Sequence, residues 1–159
     1  MTLSGMTLIS GLPAHPLLVH GVVVLVPLVS LGLVLCALWP AARRRLLWPV
    51  VVLAAATLVL TPITAETGEQ LAGVLGPSPL IETHEELGDT MTLVVALLFA
   101  ATMLLTGAHA LRGRGDGSGR RALTVVAAAL AVVAAVGATV QTVRVGESGA
   151  EAVWTGRLP

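Results

Sequence analysis

The stretch PLLVHGVVVLVPLVSLGLVLCAL, residues Pro16–Leu38, contains no Asp, Glu, Lys or Arg, and it decides the fold. As a helix rising about 1.5 Å per residue it is long enough to cross the roughly 30 Å hydrocarbon core of a bilayer. Pro16 suits the first helical turn, where its missing N–H breaks no bond. Pro27 predicts a kink in mid-helix that frees the carbonyl near Val23. Trp39-Pro40 ends the block at an interface, where Trp is favoured.

Working outward, three more apolar blocks follow, over about 46–63, 90–111 and 122–143. Between them lie Arg43-Arg44-Arg45 with Trp48, a polar loop from Thr64 to Thr83, and a Gly-rich basic loop from Arg112 to Arg121. The polar loop carries Glu66, Glu69 and Glu82 and the turn signals Gly76-Pro77 and Pro79. Thr83 reads as an N-cap and Glu86 as its capping-box partner. A short polar tail with Trp154 closes the chain. These features predict a single domain over residues 1–159: an all-α, integral membrane, antiparallel four-helix bundle.

Composition removes the alternatives. With 55% hydrophobic and 11% charged residues and a mean hydropathy of +0.91, the chain has too little charge to cover a water-soluble surface. Zero formal net charge and the lack of basic runs with interleaved aromatics argue against nucleic acid. The single Cys36 excludes a disulfide framework and a Cys-based zinc site. Met1 to Leu12 contain no Lys or Arg, so the first helix does not read as a cleaved signal peptide. Seven of the nine basic residues (Arg43, Arg44, Arg45, Arg112, Arg114, Arg120, Arg121) fall in the first and third loops. The positive-inside rule then predicts a multi-pass plasma (inner) membrane protein with both termini and the middle loop outside the cytoplasm. Ala127, Ala131, Ala135 and Ala138 give the fourth helix a small face for close packing in lipid.

On that topology the chemistry-bearing residues gather at one end. His15 and His20 open the first helix, Glu66 and Glu69 follow the second, and His84, Glu85, Glu86 and Asp89 lead into the third. His20 sits within an apolar helix, and ionisable residues at membrane depth face the bundle interior and a partner. His84 is expected at similar depth, facing it. His15 and His20, five apart, are about 140° around an ideal helix and do not share a face; His15 precedes a proline and is biased toward extended backbone. The plainer readings are a helix cap or interfacial group for His15, an interhelical hydrogen bond for His20, a loop residue for His84 and solvated surface for the carboxylates. His109 reads as interfacial, near Arg112. No Ser-His-Asp order, phosphate loop, HExxH or GxGxxG occurs, so no catalytic residue is assigned.

The run His15-Pro16-Leu17-Leu18-Val19-His20, followed by Gly21-Val22-Val23 and later by His84 opening the third helix, resembles a family of bacterial membrane domains, domain of unknown function 2231. That family opens on His-Pro-x-x-Val-His-Phe-Pro-Ile; here Gly21-Val22 stands where Phe-Pro is usual, so the local kink differs. The resemblance covers nearly the whole chain, and the matching positions are His15, His20 and His84. Relatives joined to Rieske iron–sulfur or cytochrome c modules imply an electron-transfer setting with a redox protein partner or quinone.

Three functions follow as expectations. In the first, a redox-associated subunit holds b-type haem with His20 and His84 as axial ligands from facing helices. One Phe, no Tyr and three Trp imply an aliphatic lining for such a haem. In the second, His15, His20, Glu66, Glu69 and His84 supply ligands for a divalent transition metal. In the third, the bundle is a structural module that binds a partner protein within the lipid bilayer.

Overall fold

A computed structural model describes residues 6–112 and 117–155. A short antiparallel hairpin, β1 (Leu8–Ile9) and β2 (Leu12–Pro13), precedes four helices: α1 (Ala14–Leu38), α2 (Pro40–Leu75), α3 (Pro79–Arg112) and α4 (Ser118–Trp154). All four are long and apolar enough to cross a membrane. Each packs against its two neighbours, α1 with α2 and α4 and α3 with α2 and α4, with scarcely any diagonal contact between α1 and α3. This is the expected four-helix membrane bundle.

The contacts between α1 and α2 run in descending order, as an antiparallel pair requires. His15 meets Thr64, Gly21 faces Leu60, Gly32 faces Val50 and Cys36 meets Arg43. At Gly32 the approach is so close that a Cβ would stand 2.6 Å from Val50 Cγ2. Gly32→Ala is therefore expected to cost about 1–3 kcal/mol by overpacking. Gly32→Ala combined with Val50→Ala should regain most of it, read as thermal unfolding midpoints in detergent. A double variant no more stable than Gly32→Ala alone would refute this contact.

The interior is small and partly polar while the outside is apolar, the inverse of a soluble bundle. Ala127, Ala131, Ala135 and Ala138 are fully buried on α4, as the small-residue pattern predicts. Val24, Val52 and Val133 stand 63%, 64% and 69% exposed, which is tolerable only against lipid. Buried Thr57, Thr61, Thr64, Thr102 and Thr142 each return the hydroxyl to the carbonyl one turn back, so their burial leaves no orphan donor. At the arginine-rich end the buried Arg43 donates from Nε to the Cys36 carbonyl (2.6 Å) and from Nη2 to the Ala37 carbonyl, capping the last turn of α1.

The helices differ from the sequence reading at their ends. The polar loop expected over Thr64–Thr83 is mostly helix: α2 continues to Leu75, and Gly76, at φ 86, stops it. Helix α3 starts at Pro79, a favoured opening residue, so Thr83 is one turn inside and donates to the Pro79 carbonyl instead of capping. The polar tail is also helical, since α4 runs to Trp154. Arg120 and Arg121 lie in the first turn of α4, with both amides bonded to the Gly117 carbonyl, while Arg114 is outside the described residues. At 36, 34 and 37 residues, α2, α3 and α4 are roughly 50–55 Å long, well beyond a core of about 30 Å. Their polar ends extend past the hydrocarbon.

Candidate functional site

The site is positioned first by a turn. Ser10 and Gly11 both have positive φ (53° and 81°), the two-residue turn whose twist suits a hairpin. Thr7 then anchors the hairpin to α2, its N–H and hydroxyl both donating to Gln70 Oε1 at 3.0 and 2.8 Å. The Ala14 N–H closes onto the Thr7 carbonyl at 3.0 Å, so α1 begins at Ala14. His15 is consequently helical, not extended as the following proline suggests; Pro16 still lies within the first turn, where its missing donor costs nothing.

That start turns His15 inward. Its Nδ1 lies 2.9 Å from the Thr64 carbonyl oxygen on α2, which only accepts, so Nδ1 carries the proton. On the other side of the bundle His84 reaches α4, with Nδ1 3.0 Å from Ser148 Oγ. The Ser148 hydroxyl spends its proton on the Val145 carbonyl at 2.9 Å and so accepts from His84. Both rings are half-buried, and their centroids are 6.2 Å apart with planes at 74°.

The chemistry of the pair follows from these bonds. With Nδ1 engaged as a donor in each ring, the neutral imidazole offers its Nε2 lone pair. In that form the pair suits a Lewis acid or a hydrogen-bond donor. Backbone and hydroxyl acceptors at Nδ1 are the partners that orient metal-ligating histidines and raise their basicity.

Of the residues singled out from the sequence, the structure brings together His15 and His84, and not His20. His20 is exposed, and its Nδ1 turns back to the Pro16 carbonyl one turn earlier on its own helix. The expected facing of His20 and His84 is thus corrected: helix geometry puts the two α1 histidines on different faces, and the hairpin selects His15 for the interior. Glu66 and Glu69 are both exposed, and Glu69 lines a separate open cleft of about 390 Å³ with Glu82 and Glu85, where α2 ends and α3 begins. Among the described residues no group of three or more His, Cys, Asp or Glu is placed to hold a metal ion. Sequence reading missed Ser148, Gly149 and Gly68. His15 packs so closely on Gly68 that a Cβ there would be 2.8 Å from its Cε1; at Gly149 the corresponding distance to His84 is 2.9 Å.

The family model described as predicted membrane protein (DUF2231) matches residues 11–158. No curated protein and no solved structure matches the chain.

Proposed function

Because the chain belongs to this family of predicted membrane proteins, whose description names no activity, we propose a function from the histidine pair. The reading is a multi-pass redox subunit that holds b-type haem between His15 and His84 at the outer face of the plasma membrane. The observation that carries it is two Nδ1-anchored imidazoles with centroids 6.2 Å apart. Two imidazoles on opposite sides of one metal, each nitrogen about 2.0–2.1 Å from it, put ring centres roughly 6 Å apart.

The donor set supports haem over a bare ion. Two imidazoles would be all the protein ligands a haem iron needs, since the macrocycle supplies the rest. For zinc they are half a tetrahedral shell, and the exposed Glu66 and Glu69 do not join it. When bound, haem supplies reversible one-electron exchange; the chain's part is to ligate and to set the surroundings. His15 and His84 would hold the haem iron, and the Thr64 carbonyl and Ser148 hydroxyl fix ring orientation and basicity. Arg43, Arg44, Arg45, Arg120 and Arg121 mark the opposite end as cytoplasmic, which supports an outward-facing histidine pair. A Rieske-type or cytochrome c-type protein, or a quinone, would exchange electrons there.

The test is an absorption spectrum of the detergent-purified protein, oxidised and dithionite-reduced, with metal analysis of the same sample. A Soret band with sharpened reduced bands, at about one haem per chain, is expected for bis-imidazole iron. A colourless protein carrying zinc or copper would move the pair to a bare-ion site completed by water. Neither pigment nor metal would leave a structural, partner-binding bundle.

A further inference from the structure

The two helical hairpins, α1–α2 and α3–α4, repeat one burial pattern. A displacement of 69 residues, from His15 to His84, carries buried Val22, Val26, Val29, Leu33 and Cys36 of α1 onto buried Met91, Val95, Leu98, Thr102 and Leu105 of α3. A displacement of 81 residues, from Thr67 to Ser148, carries buried Arg43, Val50, Ala54, Thr57, Thr61 and Thr67 of α2 onto buried Thr124, Ala131, Ala135, Ala138, Thr142 and Ser148 of α4. The longer α3–α4 connection absorbs the difference. Because each helix neighbours the next around a square, exchanging α1 with α3 and α2 with α4 is a half-turn about the bundle axis.

The histidine surroundings repeat with the helices. The α2 segment Thr64-Ala65-Glu66-Thr67-Gly68 corresponds to the α4 segment Val145-Gly146-Glu147-Ser148-Gly149. In each, the hydroxyl donates to the carbonyl three residues back, Thr67 to Thr64 and Ser148 to Val145, both at 2.9 Å. On α2 that carbonyl accepts from His15 Nδ1, and on α4 the hydroxyl itself accepts from His84 Nδ1, so each motif holds the imidazole of the other helix of its hairpin. In each, the glycine receives the ring, and its added Cβ would stand 3.5 Å from Nε2 as well as crowding Cε1.

We infer that residues 64–68 and 145–149 are two copies of one imidazole seat, with Gly68 and Gly149 as positioning residues, and that the metal centre bound by the pair lies on the approximate two-fold axis between them. The seats stand on the hairpin geometry alone; the bound centre rests on the haem reading above. A methyl group at either glycine pushes one ring off its Nδ1 acceptor, the Thr64 carbonyl for His15 or the Ser148 hydroxyl for His84, and leaves the other ring in place. Nothing lies within 4 Å of a Cβ at Gly73 or Gly137, so alanine there is a control.

The experiment uses the full chain, labelled with 15N-histidine, in detergent micelles, with hemin as the added probe. In the wild type, His15 and His84 are both expected to show Nδ1–H and bare Nε2. Gly68→Ala should change the tautomer signal of His15 only and Gly149→Ala that of His84 only. Each should weaken hemin binding about 10–100-fold, while Gly73→Ala and Gly137→Ala change neither. Should a glycine variant not fold, Ser148→Ala, which adds no atoms, must move the His84 signal and not that of His15. The seats are overturned if both histidines keep their signals in both glycine variants, or if each variant disturbs the two rings alike. Selective tautomer changes in a protein that takes up no hemin would support the seats and overturn the haem reading instead.

Discussion

If the pair holds haem as proposed, His15→Ala and His84→Ala are each expected to abolish the haem spectrum completely, while His20→Ala retains it at full intensity. The asymmetry follows from orientation. His15 and His84 stand ring to ring at 6.2 Å on separate hairpins, so removing either would leave the proposed haem a single imidazole. His20 is exposed and bonds only its own helix at Pro16. Glu66→Gln should also leave the spectrum unchanged, since Glu66 is exposed outside the pair. The measurement is the reduced-minus-oxidised difference spectrum, with the helical signal in circular dichroism confirming that each variant folds. A colourless His20→Ala beside a pigmented His15→Ala would return the ligand role to His20 and refute the inward placement of His15.

The largest effect on folding is expected at Arg43. Its side chain is buried and donates to two carbonyls at the end of α1, Cys36 and Ala37, which have no helical partner of their own. Hydrogen bonds from a charged donor are worth about 1.5–3 kcal/mol each, so Arg43→Ala should cost about 2–4 kcal/mol once partial hydration of the freed carbonyls is allowed for. Arg43→Lys cannot reproduce the forked pair of donors and should recover only part of that loss. Arg44→Ala, at an exposed position on the same turn, should stay within about 0.5 kcal/mol. Unfolding in mixed micelles, titrated with a denaturing detergent, reads all three. Equal stability for Arg43→Ala and Arg44→Ala would show that the cap contributes nothing.

The fold class was legible in the sequence because it depends on block properties. Four apolar runs, each long enough for a bilayer, require helices whatever their contacts, and the small face at Ala127, Ala131, Ala135 and Ala138 marks one packing surface. The HPxxVH run carried the family resemblance that the match over residues 11–158 bears out. The end of the bundle that gathers the histidines was legible too, by counting spans.

Helix ends were legible only in part. Apolar composition stops where the lipid stops, whereas α2 and α4 keep their backbone bonds into water as far as Leu75 and Trp154. The seat of His84 was lost in what read as a polar tail. A self-comparison of the chain would have exposed it, through Glu66-Thr67-Gly68 and Glu147-Ser148-Gly149.

Composition and spacing by themselves determined that the chain crosses a membrane four times, and at which end its histidines gather. Only the tertiary structure decided that His15, and not His20, meets His84. A side chain's direction around a helix depends on the residue at which the helix begins and on how close its neighbours approach. Here the first is set by the positive-φ turn at Ser10-Gly11 and the Thr7–Gln70 anchor, and the second by bare glycines at 68 and 149. None of these leaves a mark on hydropathy.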